Sequence, residues 1–285
     1  MIHVGGNDPA QRPVDLTGLI DPHVHTAPEH IPRLLDDLSL ARQARAAGMA
    51  GLLIKSHTTL TADRAVIAAL AVPGIQLWGG LVLNRSVGGF NPAAVETAIA
   101  YGAAEIWLPT IDADNHRRFH ALLGAGLSLR DEHGYVPAAI HEIMQLIADH
   151  DLILGTGHLS PAEIHTAIPI ARQHGVKKIL ITHPEAPFVA MPLPEQLELA
   201  AVGCRFERTW VFTTPAQDCI VTPERLMHEI RYVGWESTVL ATDMGQIGNP
   251  SPVDGLRMYI QVCLRAGFTM GEIRCMATNI RDWLP

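Results

Sequence analysis

Eight short runs rich in apolar and β-branched residues recur along the chain, and stretches with helical periodicity separate them. This alternation of strand and helix patterns is typical of parallel βα units. The chain has 285 residues, and one (β/α)8 barrel takes about 250. We therefore predict a single-domain TIM barrel over residues 1–285, with residues 1–14 as an N-terminal extension. The predicted strands are 16–24, 51–57, 75–83, 105–110, 152–158, 178–183, 205–213 and 237–243.

One interval departs from this rhythm, between the fourth and fifth predicted strands. Arg130–Gly134 has the composition of a tight turn, flanked by Leu127–Leu129 and Tyr135–Val136. We predict a small hairpin insertion at residues 124–137 rather than a domain boundary.

Composition narrows the class of protein and of partner. Hydrophobic residues make up 48% of the chain, which is enough for a large core, and the net charge of −8 is spread without long runs. That charge argues against nucleic acid or an anionic membrane as a partner. Four scattered cysteines predict buried or half-buried free thiols, and no apolar run reaches the roughly 18 residues of a membrane span. We expect a cytoplasmic protein that acts on a small molecule and is able to form a homo-oligomer.

The segment Asp21-Pro22-His23-Val24-His25 closes the first predicted strand. Side chains two residues apart on a strand point the same way. His23 and His25 therefore project together, and such a pair of imidazoles can chelate a transition metal. Taken alone, the motif also fits two unrelated polar residues that enter a loop.

Other polar residues end the remaining predicted strands, and a (β/α)8 barrel gathers these ends at one mouth. We predict a metal site built from His23, His25, Lys55, His158, His183 and Asp243. Asp243, His183 and His57 are the predicted catalytic residues, and Arg85 and His116 the predicted substrate-binding residues. Two alternatives stay open, since Asp243 could cap a helix and Lys55 could form a structural salt bridge.

This arrangement resembles the metal site of the amidohydrolase superfamily, a group of metal-dependent hydrolases. His23-Val24-His25, His158, His183 and Asp243 match its strand positions one, five, six and eight, and Thr242–Gln246 with Asn249-Pro250 is similar to a little-characterised bacterial branch. Members with two ions usually bridge them with a lysine carbamate or a glutamate after strand four. Trp107–Thr110 offers neither, so Lys55 would have to substitute, or the site would hold a single ion.

The resemblance implies hydrolysis of an amide, ester, lactone or related C–N or C–O bond by metal-activated water. Asp243 would accept the proton of that water, and His183 would bind a second ion or polarise the carbonyl. The resemblance implies one or two divalent ions, with zinc as the first choice and iron or manganese as alternatives. The competing functions are decarboxylation on a single ion, dioxygen activation by two iron or manganese ions, and ligand binding by an enzyme fold that has lost its activity.

Overall fold

The computed structural model describes residues 14–285, and its eight strands form one parallel sheet in sequence order. The sheet closes because the Asp243 amide donates to the His23 carbonyl at 2.9 Å and the His25 amide to the Met244 carbonyl at 2.8 Å. The predicted (β/α)8 barrel is confirmed, while Met1–Pro13 of the predicted N-terminal extension lie outside the described residues. The strands are β1 Ile20–His25, β2 Gly51–Lys55, β3 Gln76–Val82, β4 Glu105–Trp107, β5 Ile153–Gly155, β6 Lys178–Thr182, β7 Arg205–Thr209 and β8 Thr238–Ala241.

Helices cover the outside of this barrel, and several begin at residues that accept a hydrogen bond from the first helical turn. Ser160 and Thr269 form capping boxes with Glu163 and Glu272. Asp36 caps the first helix by accepting from the Ser39 amide, so that helix begins after the cap. The helices are α1 Asp37–Ala46, α2 Ala62–Ala71, α3 Pro92–Ala100, α4 Asp114–Phe119, α5 Ala138–Asp149, α6 Pro161–Gln173, α7 Leu193–Ala201, α8 Pro223–Val233, α9 Pro252–Arg265 and α10 Met270–Met276.

Buried side chains form two layers. The larger layer lies between sheet and helices, and the smaller one fills the barrel interior with residues such as Leu53, Trp78 and Trp107. Strand glycines make room for these rings: a Cβ on Gly155 would lie 2.3 Å from Cδ1 of Trp107. Because large apolar side chains fill the barrel, the polar strand ends are left at its C-terminal mouth.

The predicted hairpin insertion is not confirmed, and residues 124–137 contain no paired strands. The Asp131 carboxylate accepts from the His133 and Tyr135 amides, each at 2.9 Å, so the turn itself is present. The flank before the turn pairs elsewhere, because Leu127 exchanges backbone hydrogen bonds with Asp112 and Asp114, while the Tyr135 carbonyl accepts from the Asp131 amide within the turn. The backbone groups that Leu127 would offer to a hairpin are therefore already used.

Within residues 14–285, no helix has the length and apolarity that crossing a membrane requires. All four cysteines are free thiols, as predicted. Cys204 and Cys263 are buried and Cys275 is half-buried. Cys219 is exposed, so the expectation that all four thiols are buried or half-buried is wrong for this residue.

Candidate metal centre

Three side chains meet where the first and last strands join. Nε2 of His23 lies 3.3 Å from Nε2 of His25. Oδ1 of Asp243 lies 3.0 Å from the first of these nitrogens and 3.2 Å from the second. All three residues are buried, and they form the one group of three or more candidate metal ligands among the described residues. The sequence prediction of these three residues as one cluster therefore agrees with their placement.

The spacing of these three atoms fits ligands of a single transition-metal ion. Zinc–nitrogen bonds of about 2.0–2.1 Å at tetrahedral angles place neighbouring ligand atoms about 3.3 Å apart. The observed separations of 3.0, 3.2 and 3.3 Å match that value without rearrangement. Two neutral imidazoles and a carboxylate are also a donor set that zinc, iron and manganese accept.

The orientation of His23 is fixed by a residue that sequence reasoning missed. Nδ1 of His23 lies 2.6 Å from Oε1 of Glu207, which is fully buried on β7. The imidazole therefore donates to Glu207 through Nδ1, and Nε2 is the ring nitrogen that faces His25 and Asp243 and would bind an ion once its proton is displaced. The one sequence feature that could have identified Glu207 is its position as a carboxylate in the middle of a predicted buried strand.

His25 is held by a second pair of residues that the sequence did not reveal. Oε2 of Glu29 lies 3.5 Å from Nδ1 of His25, and Nη2 of Arg33 lies 3.1 Å from the same nitrogen. Glu29 also accepts from the His57 amide at 2.6 Å and pairs with Arg33. Because a guanidinium only donates, the Arg33 contact makes Nδ1 an acceptor in this structure. Binding of an ion through Nε2 would require the proton on Nδ1, and Glu29 is then the acceptor beside it.

Four further predicted residues surround this cluster. The ring centroids of His158 and His183 are 4.8 Å apart, and those of His25 and His57 are also 4.8 Å apart. Nδ1 of His183 and Nζ of Lys55 are buried without a hydrogen-bond partner among the described residues. The Lys55 ammonium lies 5.2 Å from the centroid of the Trp107 ring. Lys55 and His183 therefore each present a buried nitrogen atom to which the described residues offer no partner.

Charges at the centre favour a cation. Burial alone would lower the pKa of His23, but the carboxylates of Asp243 and Glu207 outweigh burial and raise this pKa to about 9. Burial would raise the pKa of Asp243, and the two imidazoles beside it instead hold the pKa well below its usual range. Burial lowers the pKa of Lys55, against the pull of the nearby carboxylates. Carboxyl groups on two sides of one imidazole, those of Asp243 and Glu207, provide the electrostatic environment that a cation site requires.

Two of the site residues have unusual backbone conformations. His183 has φ +28° and Asp243 has φ +52°, in the left-handed region that non-glycine residues rarely occupy. Such conformations cost of order 1–3 kcal/mol and cluster at functional sites. Both residues turn the backbone just after their strands end. A pattern of apolar residues along the sequence does not reveal such a backbone conformation.

A cavity of about 450 Å³ opens directly above this cluster. His25, Lys55, His57, His158, His183 and Asp243 form its floor, and His116 lies on its side. Nδ1 of His116 is 2.9 Å from Nδ1 of His158. His57 is held by the Thr110 hydroxyl, 2.9 Å from its Nδ1. His158 lies three residues beyond the end of β5 rather than at the strand end as predicted.

Arg85 does not line this cavity. It is an exposed residue whose guanidinium donates to the Ala125 carbonyl, and its backbone amide donates to Asp112 at 2.9 Å. The predicted contact between Arg85 and a substrate therefore has no counterpart in the lining of the cavity.

Comparisons with solved structures show the same barrel in several hydrolases. A probable dipeptidase from Pseudomonas aeruginosa is 10% identical, with a TM-score of 0.66 and 94% of each chain covered. A lactonase from Listeria monocytogenes is 12% identical, with a TM-score of 0.60 and 95% of each chain covered. A phosphotriesterase homology protein from Escherichia coli is 13% identical, with a TM-score of 0.56, covering 94% of this chain and 99% of the other. At these identities the likeness establishes the fold alone, a (β/α)8 barrel.

No curated protein matches this sequence. A family model described as a family of unknown function, DUF6282, matches residues 18–207. That segment runs from the residues before β1 through Glu207 on β7, so it includes His23, His25, His158 and His183. It covers well over half of the chain, and the protein belongs to this family of unknown function.

Proposed function

We propose that this protein is a metal-dependent hydrolase that cleaves an amide, ester, lactone or related bond of a small organic molecule with water. The observation that carries the proposal is the convergence of His23, His25 and Asp243, with ligand atoms 3.0–3.3 Å apart, beneath a cavity whose floor includes His25 and Asp243. The structural neighbours support it, since their names describe a dipeptidase, a lactonase and a phosphotriesterase homologue.

His23, His25 and Asp243 would hold the first ion. A divalent ion bound there polarises a carbonyl oxygen and makes water a nucleophile at neutral pH. Asp243 is ionised and lies at the cavity floor, so its carboxylate accepts the proton of the attacking water and can pass it to the leaving group. His183 and His57 face the same space as neutral imidazoles, because burial lowers the pKa of each well below the ordinary value. His57 can orient the scissile group by a hydrogen bond, whereas His183 would either bind a second ion or polarise the carbonyl.

Lys55, His158 and His183 would hold a second ion. The support for this is the unpartnered Nζ of Lys55 and the unpartnered Nδ1 of His183, both buried beside His158. No lysine or glutamate ends β4, so Lys55 from β2 is the available bridging side chain in the described cavity. We expect two metal equivalents in the wild type and one in Lys55→Met. One equivalent in the wild type would refute the second site, and two in both proteins would exclude Lys55 from it.

The test of hydrolysis combines metal analysis with a panel of esters, lactones and amides. Protein purified without added metal should contain zinc or another divalent ion, and His25→Ala should lose both this ion and the hydrolytic activity. The matched control is His165→Ala, because His165 is a surface histidine that also pairs with a carboxylate, that of Glu195 at 2.8 Å. This control should keep ion and activity. Bound iron accompanied by oxygen uptake, or unchanged turnover in His25→Ala, would overturn the proposal.

A further inference from the structure

The upper wall of the cavity is built from aromatic and aliphatic side chains. Phe188, in the loop after β6, packs against Phe212 after β7 with ring centroids 5.8 Å apart and planes at 72°. Phe119 at the end of α4 meets Phe188 from the other side at 6.2 Å and 71°. Ile111 and Leu122 line the same side of the cavity. We call Phe119, Phe188 and Phe212 the aromatic wall.

The aromatic wall stands directly over the histidines of the metal centre. The Phe188 ring lies 4.6 Å from the ring of His158 and 5.4 Å from that of His183. Phe212 lies 5.4 Å from His183 on the opposite side. When the scissile bond of a bound molecule reaches the cavity floor, the remainder of that molecule therefore contacts the rings of the aromatic wall.

The wall offers no positive charge to a bound molecule. Among the described lining residues, the charged side-chain types are Lys55 and Asp243, and both belong to the floor. The arginines near the mouth are engaged with the protein. Arg33 pairs with Glu29, Arg85 donates to a backbone carbonyl, and Arg117 lies 3.7 Å from Asp112.

An anionic substituent would lose water here and gain no cationic partner. Burying an unpaired charge is strongly unfavourable, whereas an aromatic ring gains apolar burial and edge-to-face contacts. The cavity of about 450 Å³ lies toward the small end of ligand sites, so it suits a molecule with one or two rings.

We infer that the substrate is a neutral molecule with an aromatic ring, bound with that ring against Phe119, Phe188 and Phe212 and its ester, lactone or amide group toward the metal centre. The chemistry of this inference rests on the proposed hydrolysis, but the preference for a neutral ring concerns binding alone. Binding and turnover can therefore be tested separately.

Binding is tested with three ketones that cannot be hydrolysed. Two of them each differ from the first in one property. Acetophenone carries the neutral ring, 4-acetylbenzoate adds a carboxylate, and acetylcyclohexane replaces the arene with a saturated ring. Calorimetric or NMR titration of metal-loaded protein should give the tightest binding for acetophenone, by about tenfold over either other ketone. Equal or tighter binding of 4-acetylbenzoate would overturn the inference.

The variants separate aromaticity from volume. Phe188→Leu keeps an apolar side chain of similar bulk and should remove most of the preference for acetophenone over acetylcyclohexane. Tyr101 is an exposed aromatic residue directly after α3 and outside the cavity lining, so Tyr101→Ala should leave all three affinities unchanged. An unaltered preference in Phe188→Leu would show that the wall does not select the ring.

The turnover arm repeats the comparison with phenyl acetate, 4-acetoxybenzoate and cyclohexyl acetate, each normalised to its rate of hydrolysis by hydroxide. Preference for phenyl acetate supports both proposals. Discrimination among the ketones without hydrolysis of any ester would refute the hydrolase and keep the ligand class. Hydrolysis of all three esters at equal normalised kcat/KM would keep the hydrolase and refute the ligand class.

Discussion

A histidine binds a metal through one ring nitrogen only when its other nitrogen carries the proton, and Glu207 sets that state for His23. The 2.6 Å contact between Nδ1 and Oε1 is fully buried, so no water competes with it. Such a carboxylate raises the basicity of the ligand and fixes the plane of the ring. Glu207 is therefore a positioning residue, which acts on an ion only through His23.

Two substitutions of Glu207 should weaken metal binding to different extents. Glu207→Leu removes the acceptor, and we expect a loss of about 10- to 100-fold in zinc affinity. Glu207→Gln keeps a neutral acceptor of the same length and should lose less. Competition with a chromophoric chelator measures both affinities. Glu195→Gln is the matched control, since Glu195 contacts a histidine at 2.8 Å on the protein surface. Wild-type affinity in Glu207→Leu would exclude the positioning role.

The clustering of the three proposed ligands of the first ion could be predicted from the sequence, but the residues that contact their rings could not. His23, His25 and Asp243 end apolar runs, and barrel closure alone brings such residues together. Glu29 and Glu207 meet His25 and His23 through the folded chain, and their flanking sequences carry no spacing that names these partners. Arg85 failed to reach the cavity because the position of a loop side chain depends on contacts such as the Ala125 carbonyl.

Among the strands and turns, too, some features could be predicted from the sequence and others depend on contacts made in the folded chain. β4 and β5 are each three residues long, shorter than the apolar runs that predicted them, because those runs continue past the last ladder hydrogen bond. The turn at Asp131 is real, yet no hairpin surrounds it, since Leu127 pairs with the segment before α4. Local turn chemistry was predictable, but the pairing partner of its flanks was not.

Packing inside the barrel depends on a glycine in β5. A Cβ on Gly155 would approach Cδ1 of Trp107 to 2.3 Å and Oε1 of Glu105 to 2.4 Å. Both neighbours are fully buried, so neither can move aside without disturbing the interior. We expect Gly155→Ala to lower the free energy of unfolding by about 1–3 kcal/mol, the usual cost of overpacking a core. Urea denaturation followed by circular dichroism measures this change.

Gly271 in α10 is the control for that substitution. A Cβ there meets nothing closer than 3.8 Å, and alanine favours helix over glycine by up to about 1 kcal/mol. Gly271→Ala should therefore stabilise the protein in the same measurement. Equal effects of the two substitutions would mean that the crowding at Gly155 does not limit stability.

At the scale of the whole molecule, the barrel closes along a seam between its first and last strands. Backbone hydrogen bonds cross this seam at His23 and His25, and the Asp21 carboxylate accepts from the Thr242 amide at 3.0 Å. The ligands of the first ion come from both sides of the seam, two from β1 and one from the residue two positions after β8. An ion bound there would join the ends of the barrel directly.

Metal binding should therefore raise the stability of the entire barrel. An ion at 100 times its dissociation constant adds about 2.7 kcal/mol to the free energy of unfolding, which corresponds to a rise in Tm of roughly 5 °C. Asp243→Asn should lose most of this rise, because it weakens the ligand on one side of the seam. Asp254→Asn alters an exposed carboxylate on α9 and should keep the rise. Scanning calorimetry of chelator-treated and zinc-loaded protein measures this rise in Tm. A rise in Asp243→Asn equal to that of the wild type would mean that the stabilising ion binds elsewhere.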